Sequence, residues 1–263
     1  MIRGATSYQY FDEPYAWMAH RGGYVSGEDA SRENTLHAFA QAVELGYRYL
    51  ESDVHATSDG YLIAFHDQVL DRVTDATGVV AELGFDQVRA ARIAGRDQIP
   101  TLDEVLESFP GVRINIDIKA PGAIEPLVAT IKAHRAQQRV CVSSFNAARL
   151  TRFRRLMGSG VATGFASPGV AWAAFVPVLP RMLPLAGQVF QVPLTTQVAG
   201  RTVRVLTPRL MASARAHDVR VHVWTVNEPA QMAELIGLGV DGLITDRTDV
   251  LKRVASSHGL WND

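Results

Sequence analysis

Eight times along this chain a short strand-like run precedes a helical pattern or a crossover. The runs end near His20, Asp53, Lys119, Phe145, Phe165, Val192, Val226 and Asp246. Strands alternating with helices at this spacing build βα units and a parallel sheet. Eight units favour a closed barrel over an open doubly wound sheet, and no G-x-G-x-x-G follows the first run to argue for a dinucleotide fold. The chain has 263 residues, which suits one (β/α)8 TIM barrel of about 250 residues. No linker, repeat or low-complexity tract divides it, so 1–263 reads as a single α/β domain.

The run 112–119, VRINIDIK, shows how such a barrel would use its strands. Val112, Ile114, Ile116 and Ile118 share one face, and Arg113, Asn115, Asp117 and Lys119 share the other, because side chains alternate along a strand. In a barrel the helices cover the outer face, so the apolar row packs there. The polar row then points inward, and Asp117 and Lys119 reach the C-terminal mouth.

The stretch 47–67, YRYLESDVHATSDGYLIAFHD, carries two apolar runs around Ser58-Asp59-Gly60. The gap is too short for a parallel crossover, so the second run is expected to fold back as a short hairpin arm after the second strand. Glu51 and Asp53 project together. A tight turn centred on Asp59-Gly60 would set Asp53 opposite His66.

Helical spacing marks 36–45, 84–94, 102–109, 123–137, 147–157, 208–217, 229–238 and 249–255. Thr101 with Glu104 forms a capping-box pattern, and Gly46 suits the residue after a helix. Residues 1–15 are expected to be an irregular lead-in. His37 is expected on the outer side of its helix without a special role, and Cys141 as a packed core thiol. The most apolar region, 169–185, is broken by prolines and Arg181 and is shorter than the roughly 20 residues of a spanning helix. It is expected as a packed loop-helix or lid that makes at most weak contact with a membrane surface.

Composition narrows the function. The net charge is −1 and 47% of residues are apolar, which offers no basic excess for nucleic acid. One cysteine excludes an internal disulfide, and the N-terminus lacks a basic-then-apolar leader, so a cytoplasmic location is expected. The C-terminal strand ends gather His20, Arg21, Glu51, Asp53, His66, Asp117, Lys119 and Trp224 at the face where such barrels place their sites. Carboxylates without clustered Cys or His suit a hard divalent cation, Mg²⁺ or Ca²⁺. Arg21 and Lys119 suit a phosphate. Two imidazoles offer a general acid and a general base. Together these groups suggest cleavage of a phosphoester.

The same residues carry a resemblance. AHRGG at 19–23, ENT at 33–35, ESDV at 51–54, DGYLIAFHD at 59–67 and LDRVTDATG at 70–78 occur in order. So do IPTLDEVL at 99–106, NIDIK at 115–119, VSSF at 142–145, VWTVN at 223–227 and DGLITD at 241–246. The ordered set resembles the glycerophosphodiester phosphodiesterase family, among the phospholipase-C-like phosphodiesterase barrels. The resemblance implies hydrolysis of a glycerophosphodiester to sn-glycerol 3-phosphate and an alcohol. It implies Glu51, Asp53 and Asp117 as metal ligands, His20 and His66 as the acid/base pair, and Arg21 and Lys119 on the phosphate. Trp224 would face the glycerol end and Glu33 would support the site. The attacking oxygen in this superfamily is either water or the substrate's own glycerol hydroxyl, through a cyclic phosphate.

Three positions depart from the family pattern. Asp117 stands where Glu is usual and is one methylene shorter. Thr248 takes a place often held by proline, with little consequence expected. The loop 68–98 is short, so a more open mouth is expected. Two rival readings remain: a related phospholipase acting on lysophospholipids, phospholipase-D-like or phosphoinositide-cleaving, and a non-catalytic phosphate- or metal-binding barrel.

Overall fold

The structure, a computed structural model, describes residues 3–28, 30–175, 187–198 and 200–261. The barrel strands are β1 (Ala16–Tyr24), β2 (Tyr49–Ala56), β3 (Arg113–Ile118), β4 (Val140–Ser143), β5 (Ala162–Thr163), β6 (Val189–Pro193), β7 (Arg220–Trp224) and β8 (Gly242–Arg247). They lie in the order β5-β4-β3-β2-β1-β8-β7-β6, each neighbour parallel to the next. A parallel bridge between Gly164 and Val189 joins the two edges, so the eight strands form a nearly closed barrel.

The helices around it are α1 (Leu36–Glu44), α2 (Leu102–Ser108), α3 (Ile124–Ala133), α4 (Ala147–Met157), α5 (Ser167–Phe175), α6 (Pro208–Ala216), α7 (Pro229–Gly237) and α8 (Thr248–Ser257). Local chemistry sets their ends. Thr35 accepts from Ala38 N at the start of α1, and Gly46, with φ 96°, follows its end. Thr101 and Glu104 exchange both bonds of a capping box on α2. The third helix is shorter than its apolar spacing suggests, because Arg135 turns left-handed at φ 49° soon after Ala133.

Packing confirms the inward and outward faces. Ile114, Ile116 and Ile118 join Phe39, Leu127 and Phe153 of the helices in the main core. Burying each such side chain contributes about 1.5–3 kcal/mol. A second core lies inside the barrel, where Met18, Tyr49, Cys141, Ala162, Val189 and Ile244 meet Tyr8, Tyr10 and Phe11. The N-terminal lead-in is therefore a plug. Two single 3-10 turns, Ala5–Ser7 and Gln9–Phe11, seat its aromatics under the strands, and Tyr49 donates to Tyr10 O at 2.6 Å. Turns that short have no periodicity to read.

The hairpin arm, Leu62–Ala64, pairs antiparallel with β2, but one residue away from the expected register. Val54 faces Ala64, and Phe65 N donates to Asp53 O. Asp53 is thus opposite Phe65, and His66 lies just beyond the ladder. The cause is a three-residue loop, 58–60, with Gly60 at φ 91° and Thr57 N donating to Tyr61 O.

Residues 63–99 build a small satellite core around Phe65, Leu70, Val73, Val88 and Ile99. Its helix is Phe85–Ala90, shorter than 84–94. Ala94 and Gly95 both have positive φ in the three-residue loop 94–96, which turns Arg92–Ile93 back onto Asp97–Gln98. A further hairpin, Thr195–Val198 with Arg201–Arg204, carries no signal that separated it from loop. The apolar region 169–185 is helical through Phe175, and 176–186 lie outside the described residues, so the expected lid and membrane contact fall largely there. Among the described residues no helix is long and apolar enough to cross a membrane.

Candidate active site

The strand ends of the barrel surround a cavity of about 670 Å³ at the C-terminal mouth. All eight residues expected there line it, His20 and His66 included. Glu33 does not line the cavity; it sits behind Arg21.

β1 delivers His20 and Arg21 through an unusual backbone. Arg21, Gly22 and Gly23 have φ of 52°, 90° and 63°. A Cβ on Gly22 would fall 2.7 Å from Ala38 Cβ and 2.8 Å from Ala38 C. Only glycine permits this approach to the first turn of α1. The bend turns Arg21 N toward Glu51, whose Oε2 accepts from it at 3.1 Å.

β2 and β3 bring the acids side by side, with Glu51 opposite Asn115 and Asp53 opposite Asp117. All three carboxylates are buried. Lys119 Nζ lies between two of them, 2.8 Å from Asp53 Oδ1 and 2.7 Å from Asp117 Oδ2. Arg21 Nε lies 3.0 Å from Asp53 Oδ2, an ion pair outside hydrogen-bond angles. Asn34 Nδ2 also donates to Asp53 Oδ2. Asp117 Oδ1 is buried and has no hydrogen-bond partner. Among the described residues no three His, Cys, Asp or Glu side chains are arranged to hold a metal ion.

Burial and charge act differently on the acids. Burial, reinforced by Asp53, pushes the Glu51 carboxyl up. Burial also raises Asp117 against the pull of Lys119. At Asp53 burial is overcome by Lys119 and Arg21, which hold the carboxyl below its usual range. Lys119 is raised, because Asp53 and Asp117 outweigh its own burial.

Each histidine is held at Nδ1 by a carboxylate. His20 Nδ1 lies 2.6 Å from Asp246 Oδ1, and His66 Nδ1 lies 2.5 Å from Asp67 Oδ1. That fixes each ring and leaves Nε2 as the nitrogen these carboxylates do not engage. His20 Nε2 is 3.9 Å from Glu51 Oε2. Burial lowers the His20 ring, yet Asp246 and Glu51 prevail and raise it. Asp67 is held at about 2, because bonds from Arg72 and His66 outweigh its burial.

Sequence reasoning left these anchoring acids without a role. Asp246 also accepts from Asn227 Nδ2 at 2.8 Å, and Asn227 Oδ1 accepts from Asp246 N. The His-Asp, VWTVN and DGLITD segments contain these residues, but only the closed barrel joins positions 20, 227 and 246. His55 also went unremarked; it is buried and bonds to His66 O at 3.1 Å.

Part of the cavity lining is apolar. Phe145 and Trp224 meet edge to face at 5.6 Å, and Lys119 Nζ lies 5.7 Å above the Phe145 ring. Phe165, Val170 and Val205 continue this wall.

A model of the glycerophosphoryl diester phosphodiesterase family matches residues 20–250, from the first catalytic candidate to the last helix. The chain belongs to this family. It is 38% identical over 248 residues to the probable glycerophosphodiester phosphodiesterase 2 of Mycobacterium tuberculosis, a match spanning 93% of this chain and 92% of that one. The crystal structure of a glycerophosphoryl diester phosphodiesterase from Silicibacter pomeroyi superposes with a TM-score of 0.79 at 23% identity, covering 96% of this chain and 99% of its own. An Oleispira antarctica phosphodiesterase, solved in complex with the product sn-glycerol-3-phosphate, superposes with a TM-score of 0.75 at 20% identity, covering 97% and 100%.

Proposed function

We propose that this chain hydrolyses glycerophosphodiesters to sn-glycerol 3-phosphate and an alcohol, with His20 and His66 as the proton carriers. Family membership supports the reaction class. The observation that supports the residue roles is the pair of imidazoles, each anchored at Nδ1 by its own carboxylate and both facing one cavity.

The chemistry follows from these groups. Arg21 and Lys119 offset the negative charge of the bound phosphate, so an attacking oxygen can approach it. One imidazole takes the proton of that oxygen at Nε2 as the new P–O bond forms. The other, protonated, gives its proton to the leaving alkoxide as the old P–O bond breaks. Water consumed equals alcohol released. Each positioned proton carrier is worth about 10²–10⁴-fold.

Glu51, Asp53 and Asp117 would hold a divalent cation, Mg²⁺ or Ca²⁺. The donor chemistry fits, since three buried carboxylates suit a hard ion and Asp117 Oδ1 lacks a partner; their arrangement is set for Lys119 Nζ, which stands between Asp53 and Asp117 and would have to give way to the ion. When bound, such an ion supplies further charge neutralisation at the phosphate.

The apolar wall of Phe145, Phe165, Val170, Val205 and Trp224 favours a second substrate class, lysophospholipids, whose acyl chain would lie along it. One panel tests both: glycerophosphocholine and lysophosphatidylcholine, each with Mg²⁺, Ca²⁺ or EDTA. Release of sn-glycerol 3-phosphate that stops with EDTA supports the first reading. Faster turnover of the lysolipid supports the second. Stoichiometric binding with no ester cleavage under any divalent ion would sink both.

A further inference from the structure

A chain of paired charges stands behind His66 that no step of the reaction uses. Asp67 offers Oδ1 to His66 and Oδ2 to Arg72 Nε, each at 2.5 Å. The same guanidinium grips Glu33, with Nη2 donating to Oε1 at 2.6 Å and Nη1 to Oε2 at 3.2 Å. Glu33 Oε1 also accepts from Arg21 Nη1 at 3.1 Å. Charges therefore alternate through Arg21, Glu33, Arg72 and Asp67 and end on the imidazole.

Arg72 reaches this place from an ordered turn. Leu70 and Val73 on either side are buried in the satellite core, and Thr74 bonds back to Leu70 O through both N and Oγ1. The loop that bears Glu33 is also tied to the satellite by Arg32, which grips Asp97 at 2.6 and 2.8 Å, but among these bonds only the Arg72 fork reaches the acid that holds His66. One guanidinium fork spans both carboxylates, a geometry that lysine cannot reproduce with a single ammonium.

We propose that Arg72 is a positioning residue for the diester cleavage: it clamps Asp67 against Glu33 and thereby holds the His66 ring with Nε2 toward the cavity. This role rests on His66 being a proton carrier. The Arg72 side chain is 47% exposed, and ion pairs that exposed add little to folding stability. Its removal therefore acts on orientation more than on the fold.

The test measures kcat and KM for glycerophosphocholine, with divalent cation present, in wild type, Arg72→Met, Arg72→Lys, His66→Ala and the double variant Arg72→Met/His66→Ala. Arg72→Met is expected to lower kcat by about 10- to 100-fold, as loss of an outer orienting group does, with KM within about twofold. Added guanidinium ion restores part of the loss, and Arg72→Lys falls between. In the His66→Ala background the second substitution costs no more than about a further twofold, since both act through one ring. A kcat for Arg72→Met within about twofold of wild type overturns the role, as does a loss carried by KM alone or losses that multiply in the double variant. If Arg72→Met melts far below wild type, guanidinium recovery of kcat still supports the role and its failure overturns it. A wild type without diesterase activity, or a fully active His66→Ala, overturns the functional reading itself.

Discussion

Replacing Asp246 with asparagine removes one charge and keeps the shape, and the surrounding bonds decide how the site responds. Asn227 Oδ1 accepts from Thr245 Oγ1 at 3.1 Å and Asp246 N at 2.9 Å, so its Nδ2 must point at residue 246. An asparagine there keeps that bond only by turning its oxygen to Asn227. Its own amino group then faces His20 Nδ1, which must become an acceptor, and the proton moves to Nε2. The opposite orientation sets two amino groups against each other. A hydrogen bond to a charged group is worth about 1.5–3 kcal/mol, roughly 10- to 100-fold in rate. The Asp246 side chain is 34% exposed, so screening trims that figure. The wrong tautomer costs more, because it disables a proton carrier worth about 10²–10⁴-fold. The expected loss in kcat for Asp246→Asn is therefore about 10²–10⁴-fold.

The pH profile supplies the sign. Asp246 and Glu51 raise the His20 ring above its ordinary value. Asp246→Asn removes the larger of these two supports, so the His20 pKa falls. The limb of the rate profile that reports His20 then moves to lower pH, whether the ring serves as acid or as base. Release of sn-glycerol 3-phosphate between pH 5 and pH 9, together with ¹⁵N chemical shifts of the ring, measures both effects. A variant with kcat within about threefold of wild type, or a limb that stays in place, would refute the assignment of Asp246 as the group orienting His20.

Other expectations rest on single features of the structure. His20→Ala and His66→Ala each reduce turnover by at least about 10²-fold with melting temperatures close to wild type; wild-type hydrolysis by either removes its role. Gly22→Ala forces a side chain into φ 90° and onto α1, so it costs about 1–3 kcal/mol, and an unchanged denaturation midpoint contradicts that backbone argument. The Glu51 carboxyl is raised by burial and Asp53, so the folded chain binds a proton that the unfolded chain releases. That contribution is present below the ordinary carboxylate range and is lost as pH rises through the raised value. In EDTA, Glu51→Gln is accordingly expected to melt above wild type at pH 8 and to flatten the decline between pH 5 and pH 8, while activity with divalent ion is lost. A variant that melts lower at pH 8 reverses this accounting.

The sequence by itself determined the elements whose signal is local. Strand alternation at 112–119 set which side chains of β3 face the helices and which face the mouth, because a pleated strand has only two faces. Capping at Thr101 and the left-handed residue Gly46 were likewise written into a few neighbouring positions. The inward acids and both histidines were found because each sits at the end of a strand-like run.

Tertiary structure decided everything that depends on partners distant in the chain. His20 meets Asp246, 226 residues away, and Glu33 meets Arg72, 39 residues away. No local pattern encodes such pairs, since only barrel closure and the satellite core bring them together. The arm's register turned on one extra loop residue, which changes little in the apolar pattern but moves every partner by one. Lys119 between Asp53 and Asp117 belongs to the same class. A strand's composition states which charges reach the mouth, and the neighbouring strand's register states which of them must share it.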